Sequence, residues 1–311
     1  ERAVGVTGTK GKSTVASLIH HIFEGAGRET AIFGNIGVAD LSLLDKDGPD
    51  MTYIIELSSY QLEHVTHSPH VAVMTNLFQE HLAHHGSFEA YREAKLNIAR
   101  FQKPGDVFVN GSGIAASFKG RLVVPDASTR FDTKLLGEHN QRNCALALAA
   151  VTALGGAEEK AREAIATFDP LPYRLERVGE FGGITFYDDS LATVPEATLA
   201  SISALHRVDT LIVGGEDRGI DFGPFAEALA KTPIATYVVF PDTGARMVAK
   251  VKGHKVIPVS SMEEAVRSAI AETPRGGTVL LSNASPSFNL FKNYKDKSAQ
   301  YRAWITELAS R

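Results

Sequence analysis

Ala3-Val4-Gly5-Val6-Thr7-Gly8-Thr9-Lys10-Gly11-Lys12-Ser13-Thr14 decides the fold. A short apolar run enters a glycine-punctuated turn and then a helical pattern that continues from Val15 to Ala26. Glycines let the backbone curl into a concave loop whose N–H groups face phosphate oxygens, and the following helix adds its positive N-terminal end. Lys12 is expected to reach the β- and γ-phosphates of a nucleoside triphosphate, and Ser13 to offer its hydroxyl to magnesium. The strict P-loop pattern wants glycine where this chain has Val6; what survives is Gly-x-x-Gly-Lys-Ser in the required strand-to-helix setting.

Outward from this loop, short β-rich runs alternate with amphipathic helical patterns, the rhythm of βαβ units and a mostly parallel sheet. Strands are predicted at Ala3 to Thr7, Thr52 to Leu57, Val71 to Thr75 and Asp106 to Asn110. Helices are predicted at Lys12 to Ala26, Ser87 to Phe101, His139 to Leu154 and Glu158 to Thr167. Two prolines in Asp169-Pro170-Leu171-Pro172 interrupt helical continuation and mark a linker. The rhythm restarts beyond it, with strands near Thr185, Thr210, Ala235, Val256 and Thr278 and a last helix from Ala299 to Ala309. The fold class is therefore α/β: a P-loop ATPase domain over residues 1–170, then a smaller Rossmann-like α/β domain over 171–311.

The 311 residues suit two domains rather than one. A net charge of -4 offers no basic footprint for nucleic acid. No apolar run approaches the roughly 20 residues that span a bilayer, so no membrane partner is expected and a cytoplasmic place is. The single cysteine, Cys144, lies in a helical apolar pattern and reads as a buried hydrophobe.

Further chemistry follows the loop. Glu56 ends the apolar strand Ile54-Ile55-Glu56, where an acid commonly holds magnesium in phosphate-loop enzymes. His81 and His85, at i, i+4 spacing, could face one way on a helical turn and taken alone also permit zinc. Lys95, alone, reads as a solvated surface lysine.

The combination of Gly8-Thr9-Lys10-Gly11-Lys12-Ser13-Thr14, Glu56-Leu57-Ser58-Ser59, Thr75-Asn76, His81-Leu82, His85-Gly86-Ser87 and Ala94-Lys95 resembles the Mur ligase family, ATP-dependent amide-bond ligases of cell-wall precursor synthesis. The resemblance implies that residues 8 to 14 bind ATP, with Lys12 catalytic, and that Ser13, Glu56 and His81 serve two magnesium ions. It implies that Lys95 is carbamylated to hold the second magnesium, that Asn140 reaches the adenine, and that Arg174 and Asp189 contact nucleotide. Thr193, Arg218, Ser287 and Tyr294 fall where the family's glutamate-adding member places its amino-acid contacts. A cation at Arg218 and hydroxyls at Thr193 and Ser287 suit a dicarboxylic amino acid.

The implied reaction adds D-glutamate to UDP-N-acetylmuramoyl-L-alanine through an acyl phosphate, by a monomer acting on small molecules. The sequence Asp189-Ser190-Leu191-Ala192-Thr193-Val194-Pro195 also resembles a divergent branch that includes L-glutamate enzymes. Two departures stand out: Leu191 follows Ser190 where the family usually has lysine, and Ala83 stands where it has aspartate. A folylpolyglutamate synthetase-like ligase and a nucleotide-switched regulatory module are the rival readings. Because Glu1 falls at the start of the ATPase domain, the family's preceding UDP-sugar domain is expected upstream of this chain.

Overall fold

The computed structural model describes residues 3–36, 48, 50–115 and 118–309, so Glu1 lies outside the described residues. The chain divides into two compact units, one ending at Asp169 and the other starting at Pro170. The first runs β1 (Ala3–Thr7), α1 (Lys12–Gly25), β2 (Thr30–Gly34), β3 (Thr52–Glu56), α2 (Ser59–Leu62), β4 (Val71–Met74), α3 (Leu82–His85), α4 (Phe88–Arg100), β5 (Val107–Asn110), β6 (Arg121–Val123), α5 (Glu138–Ala153) and α6 (Glu158–Thr167). Its sheet has the order β2-β3-β1-β4-β5-β6, and every pairing is parallel. The strand with the phosphate-loop pattern is thus central, flanked by β3 and β4, whose register sets Val6 beside Glu56 and Thr7 beside Met74. In open α/β sheets, ligands bind at the carboxyl ends of such strands.

The second unit runs β7 (Glu176–Phe181), β8 (Ile184–Asp188), α7 (Pro195–Leu205), β9 (Thr210–Val213), α8 (Gly223–Leu229), β10 (Thr236–Val239), α9 (Gly244–Met247), β11 (Lys255–Pro258), α10 (Met262–Glu272), β12 (Thr278–Leu281) and α11 (Tyr294–Ala309). The sheet order is β11-β10-β9-β12-β8-β7. All pairs are parallel except β7 with β8, where a register shift between Arg177 and Gly179 leaves a bulge at the sheet's rim. Alternate residues of β9, β10 and β12 feed two cores: Leu211, Val213, Tyr237, Val239 and Leu280 on one face, Ile212, Val238, Val279 and Leu281 on the other. A sheet buried on both faces explains why these strands are unbroken apolar runs instead of alternating ones.

Six elements lie outside the predicted strands and helices: β2, α2, α3, β6, β7 and α9. β6 is exposed at Arg121 and Leu122, and β7 is a charged edge strand, so neither carries the apolar run used to find strands. The last helix begins at Tyr294 rather than Ala299.

Candidate active site

The loop between β1 and α1 is shaped by two glycines in the left-handed half of backbone space, Gly8 at φ 143° and Gly11 at φ 83°. A Cβ on Gly8 would sit 1.9 Å from Thr75 Oγ1, and one on Gly11 2.6 Å from Asn143 Oδ1. These contacts show what presses on the loop. From the end of β4, Thr75 Oγ1 donates to the Lys10 carbonyl at 2.6 Å and Asn76 Nδ2 to the same oxygen at 2.9 Å. Lys10 N–H donates to Asn76 Oδ1 at 2.8 Å, and Thr9 N–H to the Asn76 carbonyl at 3.0 Å. From α5, Asn140 Oδ1 accepts from Asn143 Nδ2 at 2.9 Å, so Asn140 joins the loop through Asn143.

Two lysines converge on one oxygen of this loop. Lys12 Nζ donates to the Gly8 and Thr9 carbonyls at 3.1 and 3.0 Å, and Lys95 Nζ donates to the Gly8 carbonyl at 2.9 Å. Lys95 is 2% exposed, with its ammonium 4.9 Å from the centre of the Tyr91 ring, so it is no solvated lysine. Burial, reinforced by the nearby Lys12 charge, pulls its pKa down to about 7. Tyr91, four residues earlier on α4 and therefore on the same helix face, sets its hydroxyl 3.0 Å from Thr9 Oγ1. Burial raises the Tyr91 phenol well above its ordinary range. Lys10 pairs with Glu80 at 2.8 Å, while Ser13 is half-buried and Thr14 buried at the start of α1.

Glu56 ends β3 and is 1% exposed. Its Oε1 accepts from Asn35 Nδ2 at 3.0 Å, whereas Oε2 is buried with no hydrogen-bond partner. A buried carboxylate oxygen left without a donor is the ligand a hard cation takes. His81 caps α3 in left-handed geometry at φ 56°, and its ring and that of His85 both lie 5.3 to 6.2 Å from the Tyr60 and Tyr91 rings. Its Nδ1 lies 3.4 Å from the Tyr60 hydroxyl, its Nε2 3.8 Å from Glu80, and burial holds the imidazole below its usual pKa. His85 instead pairs with Glu63, Nδ1 to Oε1 at 2.8 Å, and its Nε2 lies 3.0 Å from Ser59 Oγ.

In the second unit Arg174 sits between Tyr173 and Leu175, both at positive φ. Leu175 N–H donates to Asp189 Oδ1 at 3.2 Å, and Tyr173 N–H to Glu176 Oε2 at 3.0 Å, which fixes this turn. Asp189 also accepts from Ser201 and Ser282 hydroxyls at 2.7 and 2.8 Å, and burial raises its pKa to about 6. Tyr294 reaches the same turn, its ring 5.3 Å from that of Tyr173. Thr193 is half-buried in the segment entering α7.

Arg218 and Ser287 lie on two loops fastened to each other. Gly214 N–H donates to the Asn283 carbonyl at 3.0 Å, Asn283 Nδ2 to the Gly214 carbonyl at 2.7 Å, and Glu216 N–H to the Pro286 carbonyl at 2.6 Å. The Arg218 guanidinium is 5.6 Å from the Phe288 ring centre and pairs with Glu216 at 3.0 Å. Beneath the junction, Lys297 is 1% exposed and donates to Asn283 Oδ1 at 2.7 Å. The sequence reading missed Lys297, whose place in a charged helix resembles that of any surface lysine. It also missed Tyr91, which the i, i+4 spacing to Lys95 could have flagged.

Residues 6–113 match the Mur ligase middle domain, and residues 173–284 the Mur ligase glutamate ligase domain. The chain is 39% identical, over 99% of its length and 75% of the relative's, to the UDP-N-acetylmuramoyl-L-alanine--L-glutamate ligase of Salinispora tropica. The chain belongs to the Mur ligase family. Within that family it is also 33% identical to the UDP-N-acetylmuramoylalanine--D-glutamate ligase of Nitratidesulfovibrio vulgaris, over 99% of this chain and 73% of that protein. The MurF ligase of Thermotoga maritima in complex with ADP shares the Mur ligase fold, with a TM-score of 0.72 at 18% identity over 98% of this chain and 80% of its own. No described helix is long and apolar enough to cross a membrane.

Proposed function

We propose that this Mur ligase joins L-glutamate to the carboxylate of UDP-N-acetylmuramoyl-L-alanine, using ATP as the activating reagent. The observation that carries a ligase reading is the buried Lys95 ammonium at the Gly8 carbonyl, beside Lys12 and under the phosphate-loop. L-Glutamate is preferred over the D isomer because identity to the relative named for L-glutamate is 39%, against 33% to the one named for D-glutamate.

The acceptor carboxylate attacks the γ-phosphorus, giving an acyl phosphate and ADP, and the glutamate amine then displaces phosphate. Residues 8 to 14 would hold ATP, with Lys12 exchanging its two loop carbonyls for phosphate oxygens. Asn140 would lie toward the base, and Arg174 and Asp189 are proposed as further nucleotide contacts. Magnesium, when bound, neutralises phosphate charge and orients the transferred group. Ser13, Glu56 and His81 would hold it, and the partnerless Glu56 Oε2 supports that assignment. With its pKa near 7, Lys95 has an appreciable neutral fraction at neutral pH; attack of that amine on carbon dioxide with loss of one proton would give the carbamate.

An ammonium cannot attack, so a base must take a proton from glutamate. His81 and His85 are the candidate bases: His85 has its ring nitrogens against Glu63 and Ser59, and His81 has its own beside Tyr60 and Glu80. Thr193, Arg218, Ser287 and Tyr294 would bind the amino acid, Arg218 trading Glu216 for a substrate carboxylate.

The deciding experiment supplies the full-length protein with ATP, magnesium, UDP-N-acetylmuramoyl-L-alanine and each glutamate enantiomer, and identifies the product by mass. A dipeptidyl product with L-glutamate is expected. Product with D-glutamate alone would return the assignment to the D isomer. Transfer to a folate alone would establish the folylpolyglutamate reading, and nucleotide binding without product a regulatory module.

A further inference from the structure

Among the described residues, Glu63, His84 and His85 are the one group of three whose nitrogen and oxygen ligand atoms all lie within 4.8 Å of one another. The two histidines end α3, and Glu63 follows α2, so two short helices meet at this point. His85 Nδ1 is 2.8 Å from Glu63 Oε1, and His84 Nε2 is 3.2 Å from Glu63 Oε2. Zinc bonds of about 2.0 to 2.1 Å in tetrahedral array put neighbouring ligand atoms about 3.3 Å apart, within the 4.8 Å that encloses one ligand atom from each of the three residues.

The surroundings are those of a built site. The His85 side chain is 1% exposed and its remaining nitrogen lies 3.0 Å from Ser59 Oγ, the kind of outer partner that fixes the ring of a ligating histidine. Tyr60 packs at 4.3 Å from the His84 ring. On its open side the group borders a hollow of about 540 Å³, also lined by Glu93, Asn97 and Arg100, which leaves room for a fourth, solvent ligand. Two imidazoles and one carboxylate favour a borderline transition metal over magnesium, which prefers oxygen ligands.

We infer that Glu63, His84 and His85 form a second metal site, selective for a zinc-class divalent ion and separate from the magnesium ligands proposed above. A bound ion would tie the α3 turn, which starts at His81, to the end of α2.

The test equilibrates metal-stripped protein with zinc in excess magnesium, measures retained zinc by elemental analysis, and reads cobalt(II) substitution by visible absorption. The wild type and His81→Ala should each hold one zinc equivalent with a tetrahedral cobalt spectrum. His84→Ala and Glu63→Gln should bind about 100-fold or more weakly, and Ser59→Ala about 10-fold more weakly through loss of ring orientation. His84 is 43% exposed, so its replacement leaves the fold intact, as circular dichroism would verify. No retained zinc in the wild type, or equal zinc in wild type, His84→Ala and Glu63→Gln, would overturn the inference.

Discussion

Two ammonium groups point at a single backbone oxygen in the first unit, and the glycine pattern marks only one of them; the other was flagged by the family resemblance alone. Lys12 follows from the glycine pattern, whereas Lys95 takes its character from Tyr91 and the Gly8 carbonyl, partners brought in by the fold. Lys95→Ala should lose ligase turnover, retain ATP binding by calorimetry, and recover part of its ADP release when a short carboxylic acid is added. Turnover at the wild-type level would remove Lys95 from the mechanism. A second buried lysine gives a pH signature. Burial holds Lys297 at about 8, below its ordinary 10.5. Below pH 8 the folded chain carries the buried charge in full; between pH 8 and 10.5 the unfolded chain binds a proton that the folded chain has released, so the penalty fades as pH rises. Lys297→Met has no such penalty, and its stability relative to wild type should fall by about 2 kcal/mol from pH 7.5 to 10 in denaturant titrations. A difference independent of pH would place the lysine's charge elsewhere.

At the level of elements, α4 matters because it delivers Tyr91 and Lys95 together to the loop. Its start is set by Ser87, whose hydroxyl accepts from Ala90 N–H at 3.1 Å. Ser87→Ala should cost about 1 kcal/mol in thermal unfolding and leave the secondary structure unchanged; no loss would show that α4 is held by packing alone. Helices with capping residues and central strands with apolar runs were legible, as α4 and β9 illustrate. The left-handed turn at His81 was not, because an i, i+4 pair of histidines reads as helix unless the chain's entry into α3 is seen. Nor was β7, found only by its pairing with β8.

For the whole molecule, the α/β rhythm was readable, since each unit buries its own sheet between helices. The side-chain junctions were not: Asn143 meets Gly11 from a segment distant in sequence, and Lys297 reaches Asn283 only because the loop between them folds back. Residues 8 to 14 and Asn140, proposed to hold ATP, all lie in the first unit. Magnesium and an ATP analogue at about 100 times Kd should therefore stabilise the first unit by about 2.7 kcal/mol, seen in scanning calorimetry as an upward shift of its transition. An unshifted thermogram would show that nucleotide does not bind the residues assigned to it. The irregular strand along one margin of the second sheet has its own effect. A bare margin can template another molecule's chain and grow into fibrils, but the acidic and basic side chains of Glu176, Arg177 and Glu180, with the kink at Val178, spoil the repeating donor–acceptor ladder that such growth requires.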